Sequence, residues 1–240
     1  MKTDILGVGI DDLTLPEAIS VGCGLAEGEG FHYAVTPNPE FILSAKKDPA
    51  FRDVLTGADL SVADGVGVVY AAKLLGRPLK AKVPGIDLAQ GLLSRMSHTG
   101  QSLFLLGAKP GVAARAADEL RQRYPGLLVC GTHDGYFKED APVVAEIRAA
   151  KADVVFVCLG APKQELWMAR YGPETGAHLA VGLGGCLDVF AGTVARAPEK
   201  WQKLGMEWLY RLIKEPRRIG RMAKLPLILV DAVGARLKGR

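Results

Sequence analysis

The feature that most constrains this chain is a repeated unit: a short apolar run, a polar segment bearing glycine or proline, then a stretch of helical periodicity. Val154-Val-Phe-Val-Cys-Leu159 is apolar without interruption, which suits a strand covered on both faces rather than one with a solvated side. Comparable runs at Ile5–Ile10, His32–Thr36, Leu60–Ala63, Ser102–Leu106, Leu127–Cys130 and Leu179–Leu183 read as further strands. Between most of them lie helical patterns at Pro39–Lys47, Gly67–Leu75, Gly85–Ser97, Gly111–Tyr124, Pro142–Lys151 and Pro162–Tyr171. Strands alternating with helices predict an α/β fold, a Rossmann-like and mostly parallel sheet with helices on both faces. Thr14-Leu-Pro-Glu17 has the spacing of a capping box and predicts a helix starting there.

A chain of 240 residues, 49% of them hydrophobic, can bury a large core without disulfide or metal staples. Its four cysteines are far apart with no C-x-x-C, which fits a reducing compartment, and its four histidines show no metal-binding spacing. Asp4, Asp11 and Asp12 interrupt the region where a secretory signal would be apolar, so none is expected. No apolar run approaches the roughly 20 residues that span a bilayer. There is no G-x-x-x-x-G-K-[ST] phosphate loop and no D-x-D pair to hold a divalent ion against a nucleotide diphosphate. Gly7-Val-Gly9 begins like a dinucleotide fingerprint, but Asp12 stands where its last glycine belongs. No metal or other cofactor is expected.

The segments immediately after the strands are more informative. Thr36-Pro-Asn-Pro-Glu40, Asp64-Gly-Val-Gly67, Gly107-Ala-Lys-Pro-Gly111, Gly131–Tyr136, Gly160–Glu165 and Gly182–Asp188 all fall at strand ends. In an open parallel sheet those ends share one edge, where ligands bind. Singly, each glycine or proline is an ordinary turn residue; together they make a cleft. Gly107, Gly160, Gly182 and Gly185 are candidate nucleotide contacts, because glycine permits close backbone approach, and Asp188 closes the last of these segments as a further candidate. Asp64 ends an apolar strand with little cover and suits a general base, or alternatively the N-cap of the following helix. Thr36, Asn38 and Gln164 are neutral groups able to orient sugar hydroxyls, with turn or cap duty as the competing account. Lys82 adds a cation at a neighbouring turn.

The net charge of +4 conceals a division. Residues 196–240 hold 12 of the 30 basic residues and only 4 of the 26 acidic ones, leaving a mildly acidic body and a strongly basic tail. Such a tail suits nucleic acid, anionic lipid or a phosphorylated substrate. Trp201, Leu204, Trp208 and Leu212 give an amphipathic helix, and a second helical stretch runs from about Arg217 into Leu225–Leu237. Arg211, Lys214, Arg218 and Arg221 share a face if the helix continues through Pro216. A solvated basic face and an interfacial membrane helix are the alternatives to anion binding. A core over residues 1–194 and a basic amphipathic appendage over 195–240 are therefore expected.

An ordered set of segments carries a resemblance: Thr36-Pro-Asn-Pro-Glu40, Ala63-Asp-Gly-Val-Gly67, Val83-Pro-Gly-Ile-Asp-Leu88, Gly135-Tyr-Phe137, Leu159-Gly-Ala-Pro-Lys-Gln-Glu165, Gly182-Leu-Gly-Gly185, Arg196-Ala-Pro198, Glu207–Leu212 and Glu215-Pro-Arg217. Over nearly its whole length the chain resembles the WecG/TagA/CpsF glycosyltransferases. The resemblance implies inverting, metal-independent transfer of an N-acetylmannosamine-type sugar from a UDP donor to undecaprenyl-diphosphate-N-acetylglucosamine. It implies work at the inner face of the bacterial cell membrane, in making teichoic acid linkage units or related polysaccharides. By motif, Asp64 corresponds to the proposed base, Thr36 to a residue beside it, and Gln164 to a cleft residue. Arg211, Arg218 and Arg221 correspond to arginines thought to hold the acceptor diphosphate. Ala81-Lys82 departs from the Glu-Arg of many relatives, and lysine lacks the bidentate fork of arginine. The expected partners are the UDP-sugar, the polyprenyl-diphosphate acceptor and an anionic membrane surface, without nucleic acid and with room for a homo-oligomer. Other readings are a different UDP-hexose or uronic-acid transferase, a dehydrogenase or methyltransferase on the same scaffold, and a non-catalytic membrane-surface module.

Overall fold

A computed structural model describes residues 2–198, 200–201, 207–214 and 225–238. Its centre is a six-stranded sheet in the order β4-β3-β8-β7-β5-β6, parallel at every pairing. The strands are β3 (His32–Val35), β4 (Leu60–Ser61), β5 (Ser102–Gly107), β6 (Leu128–His133), β7 (Val154–Cys158) and β8 (Leu179–Gly182). The middle strands β7 and β8 are buried at every residue, as their unbroken apolar runs require.

Alternate residues feed two apolar layers. On one face Phe104, Leu106, Val155, Val157 and Ala180 pack with α2 (Pro39–Ala45), α3 (Pro49–Gly57), α4 (Val66–Leu74), α7 (Asp140–Ala149) and α8 (Lys163–Thr175). On the other, Leu103, Leu105, Val154, Phe156 and Val181 meet α1 (Leu15–Glu27), α5 (Gly85–Thr99), α6 (Val112–Arg123) and α9 (Cys186–Phe190). Period-two alternation thus gives a three-layer sandwich. The predicted fold class stands.

Several elements differ in detail from expectation. Ile5–Ile10 is not one strand but the middle of an antiparallel hairpin, β1 (Lys2–Ile5) and β2 (Val8–Asp11). Leu6 and Gly7 turn the chain at φ 55° and 90°, the two positive dihedrals of a tight primed turn, and Asp4 accepts the Gly7 N–H at 2.9 Å. The capping box forms: the Thr14 N–H donates to the Glu17 carboxylate at 2.7 Å. That bond, aided by Lys80, holds the Glu17 carboxyl down at about 2. Two helices, α3 and the short α9, are additions to the elements expected from periodicity.

Of the C-terminal residues, α10 (Glu207–Lys214) and α11 (Leu225–Leu237) are described. The final helix is part of the core. Ile228 and Ala232 are fully buried in the layer that contains α2 and α4. Lys46 pairs with Asp231 at 2.8 Å, and Arg236 Nη1 donates to the Leu75 carbonyl at 2.7 Å.

Candidate active site

The sheet order sets the candidate residues side by side along one edge. Reading across it, β4 leads to Asp64, β3 to Thr36, β8 to Gly182, β7 to Gly160 and Gln164, and β5 ends in Gly107. With neighbouring strands about 4.8 Å apart, the row from Asp64 to Gly107 spans roughly 19 Å. That is a cleft for an extended ligand rather than a point site.

At the β4 end, parallel pairing continues past the strands. Val62 N–H donates to Val35 O at 3.1 Å and Asp64 N–H to Pro37 O at 2.9 Å, so Asp64 is fixed beside the Thr36–Asn38 turn. The residue is half-buried. The N-cap of α4 is Gly65, at φ 98° with open space around it, immediately after Asp64. Thr36 is 6% exposed, and its hydroxyl donates to the Gly182 carbonyl at 3.2 Å, stitching β3 to β8. A Cβ on Gly85 would lie 3.2 Å from the Thr36 side chain, so α5 begins against it. Val83 N–H donates to Ala63 O at 2.8 Å, which brings the half-buried Lys82 to the same corner. Asn38 performs the cap duty foreseen for it: its Oδ1 accepts from Glu40 N and Phe41 N at 2.8 and 3.1 Å, at the start of α2.

Gln164 is 1% exposed and binds two loops at once. The N–H groups of Gly160 and Gly184 donate to its Oε1 at 3.2 and 3.0 Å, joining the segment after β7 to the segment after β8. Its Nε2 donates to Glu165 Oε1 at 2.6 Å. Glu165 is fully buried, and that burial pushes its carboxyl up to about 7. In the sequence Glu165 is only the last residue of a motif with no role of its own; its one signal is a charged residue beside Gln164 at the start of a helix.

The candidate nucleotide glycines divide into two kinds. Gly160, at φ 76°, and Gly185 have open space where a Cβ would sit, so backbone approach by a ligand is unobstructed. Gly107 and Gly182 are glycines for packing. A Cβ on Gly107 would lie 2.3 Å from the Cys158 carbonyl oxygen, and one on Gly182 would lie 2.9 Å from Met168 Cε. Asp188 is half-buried in α9, and its backbone carbonyl accepts from Thr193 and Val194 at 2.9 and 3.0 Å.

The basic segment is described only in part. Arg218 and Arg221 lie outside the described residues, and Arg211 lies within α10. The start of that helix is tied to the cleft. Arg196 Nη2 meets Asp87 Oδ1 at 2.6 Å in the first turn of α5, and Arg196 Nε is 3.9 Å from Glu207 Oε1. Sequence reasoning gives Arg196 and Asp87 no role beyond their motifs. Among the described residues no cluster of three or more His, Cys, Asp or Glu is placed to hold a metal, and no helix is long and apolar enough to cross a membrane.

The chain is similar to known proteins over nearly its whole length. The model of the glycosyl transferase WecG/TagA/CpsF family matches residues 3–240. A Bacillus spizizenii protein named N-acetylglucosaminyldiphosphoundecaprenol N-acetyl-beta-D-mannosaminyltransferase is 39% identical over 194 residues, covering 81% of this chain and 76% of that protein. A Staphylococcus aureus protein of the same name is 36% identical over 239 residues, covering 99% of this chain and 94% of its own length.

Proposed function

This chain belongs to the WecG/TagA/CpsF glycosyl transferase family, and from that premise we propose that it transfers N-acetylmannosamine or a related sugar from a UDP donor to undecaprenyl-diphosphate-N-acetylglucosamine. The pathway is assembly of a teichoic acid linkage unit or similar surface polysaccharide. The observation that carries the reading is the row of strand ends, with the half-buried Asp64 at one end and open glycine backbone towards the other.

Asp64 is the base that takes the proton from the acceptor hydroxyl as that oxygen attacks the anomeric carbon. UDP departs from the opposite face of the sugar, so the configuration inverts. The donor's nucleotide end lies over β8, β7 and β5, where Gly160 and Gly185 admit close approach. Thr36 holds the Asp64 corner against β8, and Lys82 supplies positive charge there. The growing charge on the leaving diphosphate is met by backbone N–H groups and cationic side chains, with no metal in the scheme. Arg211, Arg218 and Arg221 meet the acceptor's diphosphate. The basic C-terminal segment rests on anionic lipid at the inner face of the membrane, each basic residue near the surface adding about 1 kcal/mol of salt-sensitive attraction.

A donor panel assayed by UDP release, with a short-lipid acceptor analogue, tests the reading. UDP-N-acetylmannosamine is expected to turn over; stabilisation by NAD or S-adenosylmethionine but not UDP would overturn it. Asp64→Asn is expected to keep UDP binding and lower turnover at least about a hundredfold. Near-native turnover in that variant would remove Asp64 from the mechanism.

A further inference from the structure

The hydrogen-bond pattern around Gln164 fixes its amide. Two backbone N–H groups, from Gly160 and Gly184, converge on one terminal atom, so that atom must be the oxygen. The nitrogen then faces Glu165 and donates to its Oε1, the oxygen that accepts from it. Were the amide reversed, NH₂ would confront two N–H donors. Glu165 therefore anchors the far side of the Gln164 amide while the two N–H groups hold the near side, and Gln164 links the loops after β7 and β8. Gly182, between them, gives its carbonyl to the Thr36 hydroxyl. Three neighbouring strand ends are thus connected through one buried side-chain pair.

We propose that Glu165 is a positioning residue for donor binding, acting through the Gln164 amide to hold the Gly160 and Gly184 loops in the spacing that receives the nucleotide diphosphate. The choice of residue supports this. Glu165 is fully buried, and its Oε2 has no hydrogen-bond partner among the described residues. A buried carboxyl so placed costs stability, as its upward displacement to about 7 records. Glutamine at the same position would avoid the cost of burying a charge. It would also present either a donor or an acceptor to the Gln164 NH₂ group, so the anchor on that side of the amide would be weaker.

The assignment rests on the UDP-donor reading for its function, though not for its geometry, and the test separates the two. Glu165→Gln, Glu165→Met, Gln164→Met and the double Met variant would be compared by amide hydrogen exchange at Gly160 and Gly184 and by UDP titration calorimetry. Expected are faster exchange at those two amides in each variant and about tenfold weaker UDP binding, the scale of one net hydrogen bond. The double variant should be no worse than Gln164→Met alone, because Glu165 acts through Gln164. Glu165→Gln should weaken UDP binding while melting no lower than the parent at pH 8, a combination that a purely structural role does not produce. Unchanged exchange at both glycines, or losses that add in the double variant, would overturn the proposal. Altered exchange in a protein that binds no UDP at all would refute the donor reading and the donor role together, while leaving the loop-holding geometry intact.

Discussion

Replacing Glu165 with glutamine should make the protein more stable as pH rises. An ordinary glutamate titrates near 4.5 and this one is pushed up to about 7, because burial disfavours its charged form. At 1.36 kcal/mol per pKa unit, that displacement corresponds to about 3 kcal/mol. The sign comes from proton counting. Between pH 4.5 and about 7 the folded state holds a proton that the unfolded chain has released, so stability falls as pH rises through this window and levels off above it. Below 4.5 both states are protonated and the contribution is fully present. Glutamine does not titrate. Urea unfolding of parent and variant at half-unit steps from pH 5 to 8.5 should therefore show a stability difference growing by about 3 kcal/mol in the variant's favour, with equal m values. Taking the difference cancels groups common to both proteins, including Glu17, whose own window lies below 4.5. Parallel stability curves would show that the carboxyl is not desolvated as its burial implies, and the reasoning would fail.

The other predictions concern how the cleft is built and held. Gly107→Ala combines a φ of 128° with a Cβ 2.3 Å from the Cys158 carbonyl oxygen; it should cost about 3 kcal/mol or more and lower the melting temperature by roughly 10 °C. Ile228→Ala should cost about 2–5 kcal/mol in the cooperative unfolding transition, because α11 is part of the core. A mild change confined to helix fraying would contradict that packing. Arg196→Gln removes the contact between α5 and the segment leading to α10, and should raise the acceptor KM several-fold while leaving the donor KM unchanged. Equal effects on both would place Arg196 in the donor site instead.

Much of the fold is legible in the sequence because its signals are local. The unbroken apolar run at Val154–Leu159 marks a central strand, and the Thr14/Glu17 spacing marks a helix start. The hairpin at residues 2–11 is hidden because Ile5–Ile10 is mostly apolar, and nothing in hydropathy distinguishes a strand from two half-strands around Leu6-Gly7. The turn depends on two positive φ angles, and only the glycine advertises one. Helix α3 is easily overlooked although Asp48-Pro49 carries a cap and a first-turn proline: the Asp48 side chain accepts from Phe51 N at 3.2 Å. For the site, motif order brings Asp64, Thr36 and Gln164 to one edge correctly, since parallel topology alone dictates that strand ends gather. That two adjacent polar residues both turn inward is not legible, because it depends on the helical phase of α8. Gln164 and Glu165 are both buried, and their division of labour exists only in three dimensions.

The edge holds carboxylates in two unlike settings, and the difference argues for their roles. Asp64 is half-buried beside a glycine with open space around it, so a proton can pass between it and a bound hydroxyl. Glu165 is sealed from solvent and already holds the Gln164 amide. A base must reach its substrate, so Glu165 is unsuited to that task even though burial has moved its carboxyl to about 7, where a base would be well poised. Access decides against the titration. The buried carboxylate is instead placed where a rigid acceptor has its greatest effect, one hydrogen-bonded side chain away from the loops it spaces, at a stability cost that α/β packing on both sides of the sheet is large enough to offset. On this view the pH dependence of donor binding tracks Glu165, and the chemical step depends on a different group. The two would separate in one experiment: Glu165→Gln should flatten the pH profile of UDP binding around 7 while leaving the pH dependence of kcat in place. Loss of the kcat dependence in that variant would transfer the base to Glu165.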